Sequence, residues 1–126
     1  DFSKRITAPQ GSITGMAVEV AFNHGEAIAW NLMKPVLASE INQVKLETEI
    51  GAGIGVYICA KSDLKEAGAF DGAVGEYEKV LRYLDPMFHK LSVPLLIVGL
   101  EAPETFRIEK SKNPLTKKNS GIVVMI

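Results

Sequence analysis

The sequence predicts an α+β domain of the ferredoxin-like type: a β-α-β-β-α-β sandwich with two extra C-terminal strands. Its sheet is expected to be antiparallel or mixed, with the helices on one face. Three observations predict it. Short apolar segments of period two alternate with two longer segments of helical period. A glycine-bearing stretch joins the two middle strand segments as a hairpin turn would. The 126 residues are enough for one hydrophobic core, so residues 1–126 read as a single domain.

The elements follow in order. Residues 1–11 are polar, contain Pro9 and Gly11, and read as an arm or loop. In Ser12 to Phe22, Val18, Val20 and Phe22 alternate, which predicts a strand with Glu19 pointing the other way. Asn23-His24-Gly25 is turn chemistry, and Glu26 then falls in the first turn of a helix, where its charge suits the macrodipole. That helix carries Trp30, Met33, Leu37 and Ile41 at steps of three and four, with Ile28, Leu32 and Val36 on an adjoining row. Pro35 lies inside it and predicts a kink or break near Lys34. Val44, Leu46, Thr48 and Ile50 alternate with Lys45, Glu47 and Glu49, a strand with one solvated face. Gly51-Ala52-Gly53 and then Ile54 to Ala60 complete the expected hairpin.

Ser62-Asp63 can cap a helix, and Tyr77, Val80, Leu81, Leu84, Phe88 and Leu91 make one apolar stripe over Ala73 to Leu91. Pro86 predicts a kink after Asp85. Val93 to Leu100 reads as a buried strand ended by Pro103. Thr105–Glu109 and Ile122–Ile126 are two further short strands, joined by the lysine-rich loop Lys110 to Ser120.

Composition narrows the function classes. The 14 basic and 15 acidic side chains nearly cancel, so no long-range field selects a polyanion and nucleic acid is not expected as a partner. Cys59 is the only cysteine, which excludes an intrachain disulfide and a cysteine-rich zinc cage. No acidic or histidine cluster has metal-ligand spacing, and neither a metal nor a cofactor is expected. No apolar run approaches ~20 residues, so the chain is expected off the membrane and in the cytoplasm. With its eleven glycines the chain is slightly richer in apolar residues than usual, which predicts a homo-oligomer contact.

Three constellations could carry chemistry. Gly51, Gly53 and Gly55 open like a dinucleotide fingerprint. The motif fails at its sixth position, Val56, and at the helix that should follow, so the glycines read instead as room for a ligand beside Cys59. His24, Glu26 and Tyr57 form a candidate acid–base set: a proton carrier, its orienting acid and a hydrogen-bond donor. Lys110, Lys112, Lys117 and Lys118 form a local basic loop able to meet phosphate or RNA. The leading expectation is an oligomeric small-ligand-binding or regulatory module, its ligand held between subunits or against the glycine-bearing hairpin. A cofactor-free acid–base enzyme and a phosphate- or RNA-binding module are the alternatives.

Overall fold

The computed structural model describes residues 2–40 and 52–126. A four-stranded sheet is built from β1 (Phe2–Thr7), β2 (Ile13–Val20), β3 (Ala52–Ala60) and β4 (Leu95–Leu100), in that spatial order. β1 pairs antiparallel with β2, while β2, β3 and β4 run parallel. The helices are α1 (Ile28–Glu40), α2 (Ser62–Ala67) and α3 (Tyr77–Met87). A 3-10 turn, Gly25–Ala27, leads into α1, and another, Phe88–Lys90, follows α3. The chain closes with a separate two-stranded ribbon, β5 (Phe106–Lys112) and β6 (Asn119–Met125). Among the described residues no helix is long and apolar enough to cross a membrane.

A mixed α+β fold is present as expected, but the ferredoxin-like strand pattern is not. That sandwich needs antiparallel neighbours, and here three successive strands run parallel. The hairpin reading of the glycine stretch is corrected with it, because the described neighbours of β3 are β2 and β4 rather than an adjoining chain segment. The predicted strand Val44 to Ile50 lies outside the described residues. Residues 1–11 are no loose arm either: Phe2–Thr7 pairs in register with residues 13–18, Phe2 opposite Val18 and Thr7 opposite Ile13.

Other elements keep their type and shift their ends. α1 begins at Ile28, since Gly25–Ala27 forms a tighter turn first. It then runs through Pro35 without a break. The proline ring instead packs on β3: a methyl group at Gly55 would lie 2.8 Å from Pro35 Cβ and 2.7 Å from Leu95 Cδ1. Glycine at this position is therefore a packing requirement, and the room beside it is already filled. The long helix expected over Ala73–Leu91 is shorter, and its N-terminal residues 73–75 form a loop zipped to the turn after β2. Gly25 N–H donates to Ala73 O at 2.8 Å, and Gly75 N–H donates to Asn23 O at 2.9 Å.

α1 and α3 cover the same face of the sheet. Ile28 and Leu32 from α1, Val80 from α3, and Ala21, Tyr57 and Cys59 from the sheet side form the buried core. Tyr77, Leu84, Met87, Leu95 and Ile97 pack around it. Burying each large aliphatic side chain contributes roughly 1.5–3 kcal/mol, so this face holds the fold together. The opposite face leaves Val20, Leu96 and Leu100 exposed.

Candidate active site

Because side chains alternate along β2, Val18 and Val20 point away from the helices while Ala17, Glu19 and Ala21 point toward them. Glu19 is thereby carried under α1 and is only 5% exposed. A carboxylate buried alone would be costly enough to force its neutralisation. Lys34, on α1, reaches down to pair with it through Nζ and Oε1, and keeps 27% of its side chain exposed. The result is an ion pair with one member buried and the other reaching toward solvent, near the C-terminal end of β2.

Glu19 lies directly opposite Tyr57 in the parallel register. Tyr57 is fully buried and hydrogen-bonded to the side chain of Asn31, which is buried too. The Asn31 amide nitrogen in turn donates to Asn23 Oδ1 at 3.2 Å. This short chain of polar groups ties α1 to β3 and to the turn after β2, one helical turn from Lys34. Burial pushes the Tyr57 hydroxyl up to about 12, against the opposing hydrogen bond from Asn31; the nearby Cys59 and Glu19 charges add to the rise. Cys59 is likewise pushed up to about 11, by burial first and by Glu78 second. Both groups stay protonated at neutral pH, so neither a phenolate nor a thiolate is available there.

The groups expected from sequence are dispersed. His24 and Glu26 are exposed on the turn before α1, and His24 makes a backbone bridge with Val74. Among the described residues no hydrogen bond or ion pair joins either of them to Tyr57, which faces the helices from inside the core. Gly51 lies outside the described residues, Gly53 is exposed beside Thr14, and Gly55 sits under Pro35. Cys59 is completely buried. Lys110, Lys112, Lys117 and Lys118 are exposed on the ribbon, away from this core. The sequence reading missed Glu19, Lys34 and Asn31 as site residues. The available signal was a lone acid in an apolar strand, flanked by Ala17 and Ala21, whose small side chains leave it room.

A buried ion pair is weak support for stability, because desolvation offsets much of the attraction. Its usefulness is chemical: a carboxylate can accept a proton or hold a cation, and an ammonium beside it can face a developing negative charge. Among the described residues no group of three His, Cys, Asp or Glu side chains is placed to hold a metal ion.

The fold is similar to a nuclease fold. It resembles the "Crystal structure of restriction endonuclease BGLII complexed with DNA 16-mer" with a TM-score of 0.60 and 18% identity, covering 97% of this chain and 69% of that chain. The family model for restriction endonuclease BglII/BglIII matches residues 1–100, and the chain belongs to that family. No curated protein matches the chain.

This membership overturns the leading expectation of a small-ligand or regulatory module. The exclusion of nucleic acid falls as well. It rested on net charge, which hides how the charge is distributed. Residues 105–126 hold five basic side chains and one acid, leaving nine and fourteen for residues 1–104.

Proposed function

We propose that this chain is a DNA-cleaving endonuclease that hydrolyses phosphodiester bonds, with Glu19 and Lys34 as the groups closest to the chemistry. The observation that carries the reading is the match of the endonuclease family model across residues 1–100. The Glu19–Lys34 pair supports it as the one buried acid–base pair among the described residues that also reaches solvent.

Phosphoryl transfer asks little covalent chemistry of a protein; it asks for positioning and for charge opposite the equatorial oxygens. DNA approaches from the Lys34 side, where the ammonium meets a phosphate oxygen. Glu19 takes the proton of the attacking water as the new P–O bond forms. Lys34 faces the charge that grows on the phosphorane. The P–O bond to the leaving ester oxygen then breaks, and that oxygen is protonated from solvent. Asn31 and Tyr57 hold α1 against β3 so that Lys34 stays over Glu19. A divalent cation would add charge neutralisation. The described residues do not by themselves make a cation site, and no step is routed through one.

The test is cleavage of supercoiled plasmid DNA of varied sequence in Mg2+, with the wild-type chain beside Glu19→Gln. Nicked or linear product is expected from the wild type. The variant should lose on the order of 100-fold or more in rate, the usual scale for removing a proton-transfer group. A wild type that neither cuts nor shifts any duplex would sink the reading. Equal rates for both proteins would remove Glu19 from the chemistry.

A further inference from the structure

We infer that the β5–β6 ribbon is a basic arm that grips the phosphate backbone of duplex DNA while the sheet body performs the cleavage. The inference rests on the endonuclease reading above and names the element that supplies affinity. Three observations carry it.

The first is charge. Residues 1–104 are net acidic and would repel a polyanion, whereas residues 105–126 carry five basic side chains against one acid. Within the ribbon, Arg107 is already neutralised by Glu109, its Nη2 lying 2.6 Å from Glu109 Oε1 on one face. Lys110 and Lys112 point to the other face, and Lys117 and Lys118 stand at the tip. Among the described residues no ion pair joins any of these four, so their charge is available to a partner.

The second is position. β2, β3 and β4 are parallel, so their C-terminal ends share one edge of the sheet. Glu19 lies one residue from the end of β2, α2 starts directly after β3, and the ribbon follows β4. The ribbon root is fixed at that edge. Asp63 Oδ2 accepts the Ala102 N–H at 3.1 Å, Lys61 Nζ pairs with Glu101 at 2.7 Å, and Ile126 N–H closes the base on Thr105 O at 3.0 Å. Seven residues of β5 extend roughly 24 Å, comparable to the width of a duplex. A duplex crossing the Glu19 edge is therefore within reach of an arm rooted on the same edge.

The third is the backbone at the tip. Asn113 Oδ1 accepts the N–H groups of Leu115 and Thr116, and Asn113 O accepts that of Lys117, so the turn is ordered. Lys117 occupies it at φ +58°, a left-handed conformation that glycine or asparagine adopts more easily. The ordered turn holds Lys117 and Lys118 at a fixed place on the ribbon end. With Arg107 tied to Glu109, the free charges of the arm are lysine ammoniums, point charges that suit phosphate oxygens, so the arm adds affinity and not sequence choice.

The experiment measures Kd for a fluorescent mixed-sequence duplex in EDTA across 50–200 mM salt. It uses the wild type, a quadruple variant (K110Q, K112Q, K117Q and K118Q) and Lys117→Gly alone. Each lost phosphate contact should flatten the log Kd against log salt slope by about 0.9, so the quadruple variant should lose about 3–4 and Lys117→Gly about 1. Lys117→Gly should also melt no lower than the wild type, and it carries the test if the quadruple variant does not fold. Wild-type binding and cleavage with unchanged slopes in the folded variants would overturn the arm and leave the endonuclease reading standing. A wild type that binds no duplex at any salt would overturn both.

Discussion

The sheet body and the ribbon place charge in opposite ways. In the body, Glu19 is withdrawn beneath α1 and matched by a single lysine, and the buried polar groups around it are tied together by Asn31. In the ribbon, four lysines stand in solvent on a separate pair of strands, with α2 packed against β5. A two-stranded ribbon has little stability of its own. The contrast fits the two tasks that the proposed endonuclease would divide. Chemistry needs charge held in a fixed geometry away from bulk water, whereas capture needs charge that reaches far and can be exchanged for counterions. Salt should act strongly on the second and weakly on the first.

Three further measurements press on this comparison, beginning with the largest effect. Lys34→Ala removes the partner of a buried carboxylate and should destabilise the chain by about 2–3 kcal/mol, below the ~3–5 of a fully buried pair because Lys34 is partly exposed. Urea unfolding would measure it, and a loss under about 0.5 kcal/mol would mean that water already reaches Glu19 freely.

Next comes alkaline pH. Tyr57 moves from 10.0 to about 12 and Cys59 from 9.0 to about 11 on folding. Both are acids whose folded value is raised, so their contribution is complete below the unfolded values. It drains away as pH rises from about 9 through 12, because the unfolded chain releases these protons first. The loss should be on the order of 2 kcal/mol for each group by the top of that window. Y57F and C59A should each flatten the decline, visible as melting temperature against pH. Lysine substitutions in the ribbon should leave its shape unchanged.

The smallest effect belongs to the tip: Lys117→Gly should raise stability by up to about 1 kcal/mol, since glycine accepts the left-handed conformation without steric cost. Thermal unfolding would register it. A drop instead would show that the Lys117 side chain packs in the turn rather than serving a partner.

Much of the local structure was legible. The alternation of Val18, Val20 and Phe22 located β2 and turned Glu19 to the other face. The steps from Ile28 through Leu32 to Val36 located α1, and the apolar run before Pro103 located β4. Direction of pairing was not legible, because a glycine-bearing stretch before a β-branched run suits a hairpin or a crossover equally well. Nor was the Glu19–Lys34 pair, whose members are fifteen residues apart and meet only once α1 folds back over β2. His24, Glu26 and Tyr57 were chosen for their chemistry, yet burial fixes Tyr57 in the core while the other two stay in solvent. The four lysines read as a local phosphate site, but lysines on an exposed loop without arginine or interleaved aromatics suit plain solvation as well, and the net charge is silent on their clustering. A sum over 126 residues cannot report that residues 105–126 are basic while the rest is acidic.

The proline in α1 has a mechanical consequence. Pro35 offers no N–H to the Asn31 carbonyl, so the helix is missing one of its own struts at the level of Asn31 and Lys34. What replaces that strut is the seat on Gly55, with Leu95 beside it. The spacing between helix and sheet is thus set by a contact rather than by the helix itself, and the adjacent residue is the lysine that must reach Glu19. Tolerance is correspondingly narrow. A single methyl group added at Gly55 acts as a shim under the lever that carries the ammonium, so packing and reactivity cannot drift independently in this family member.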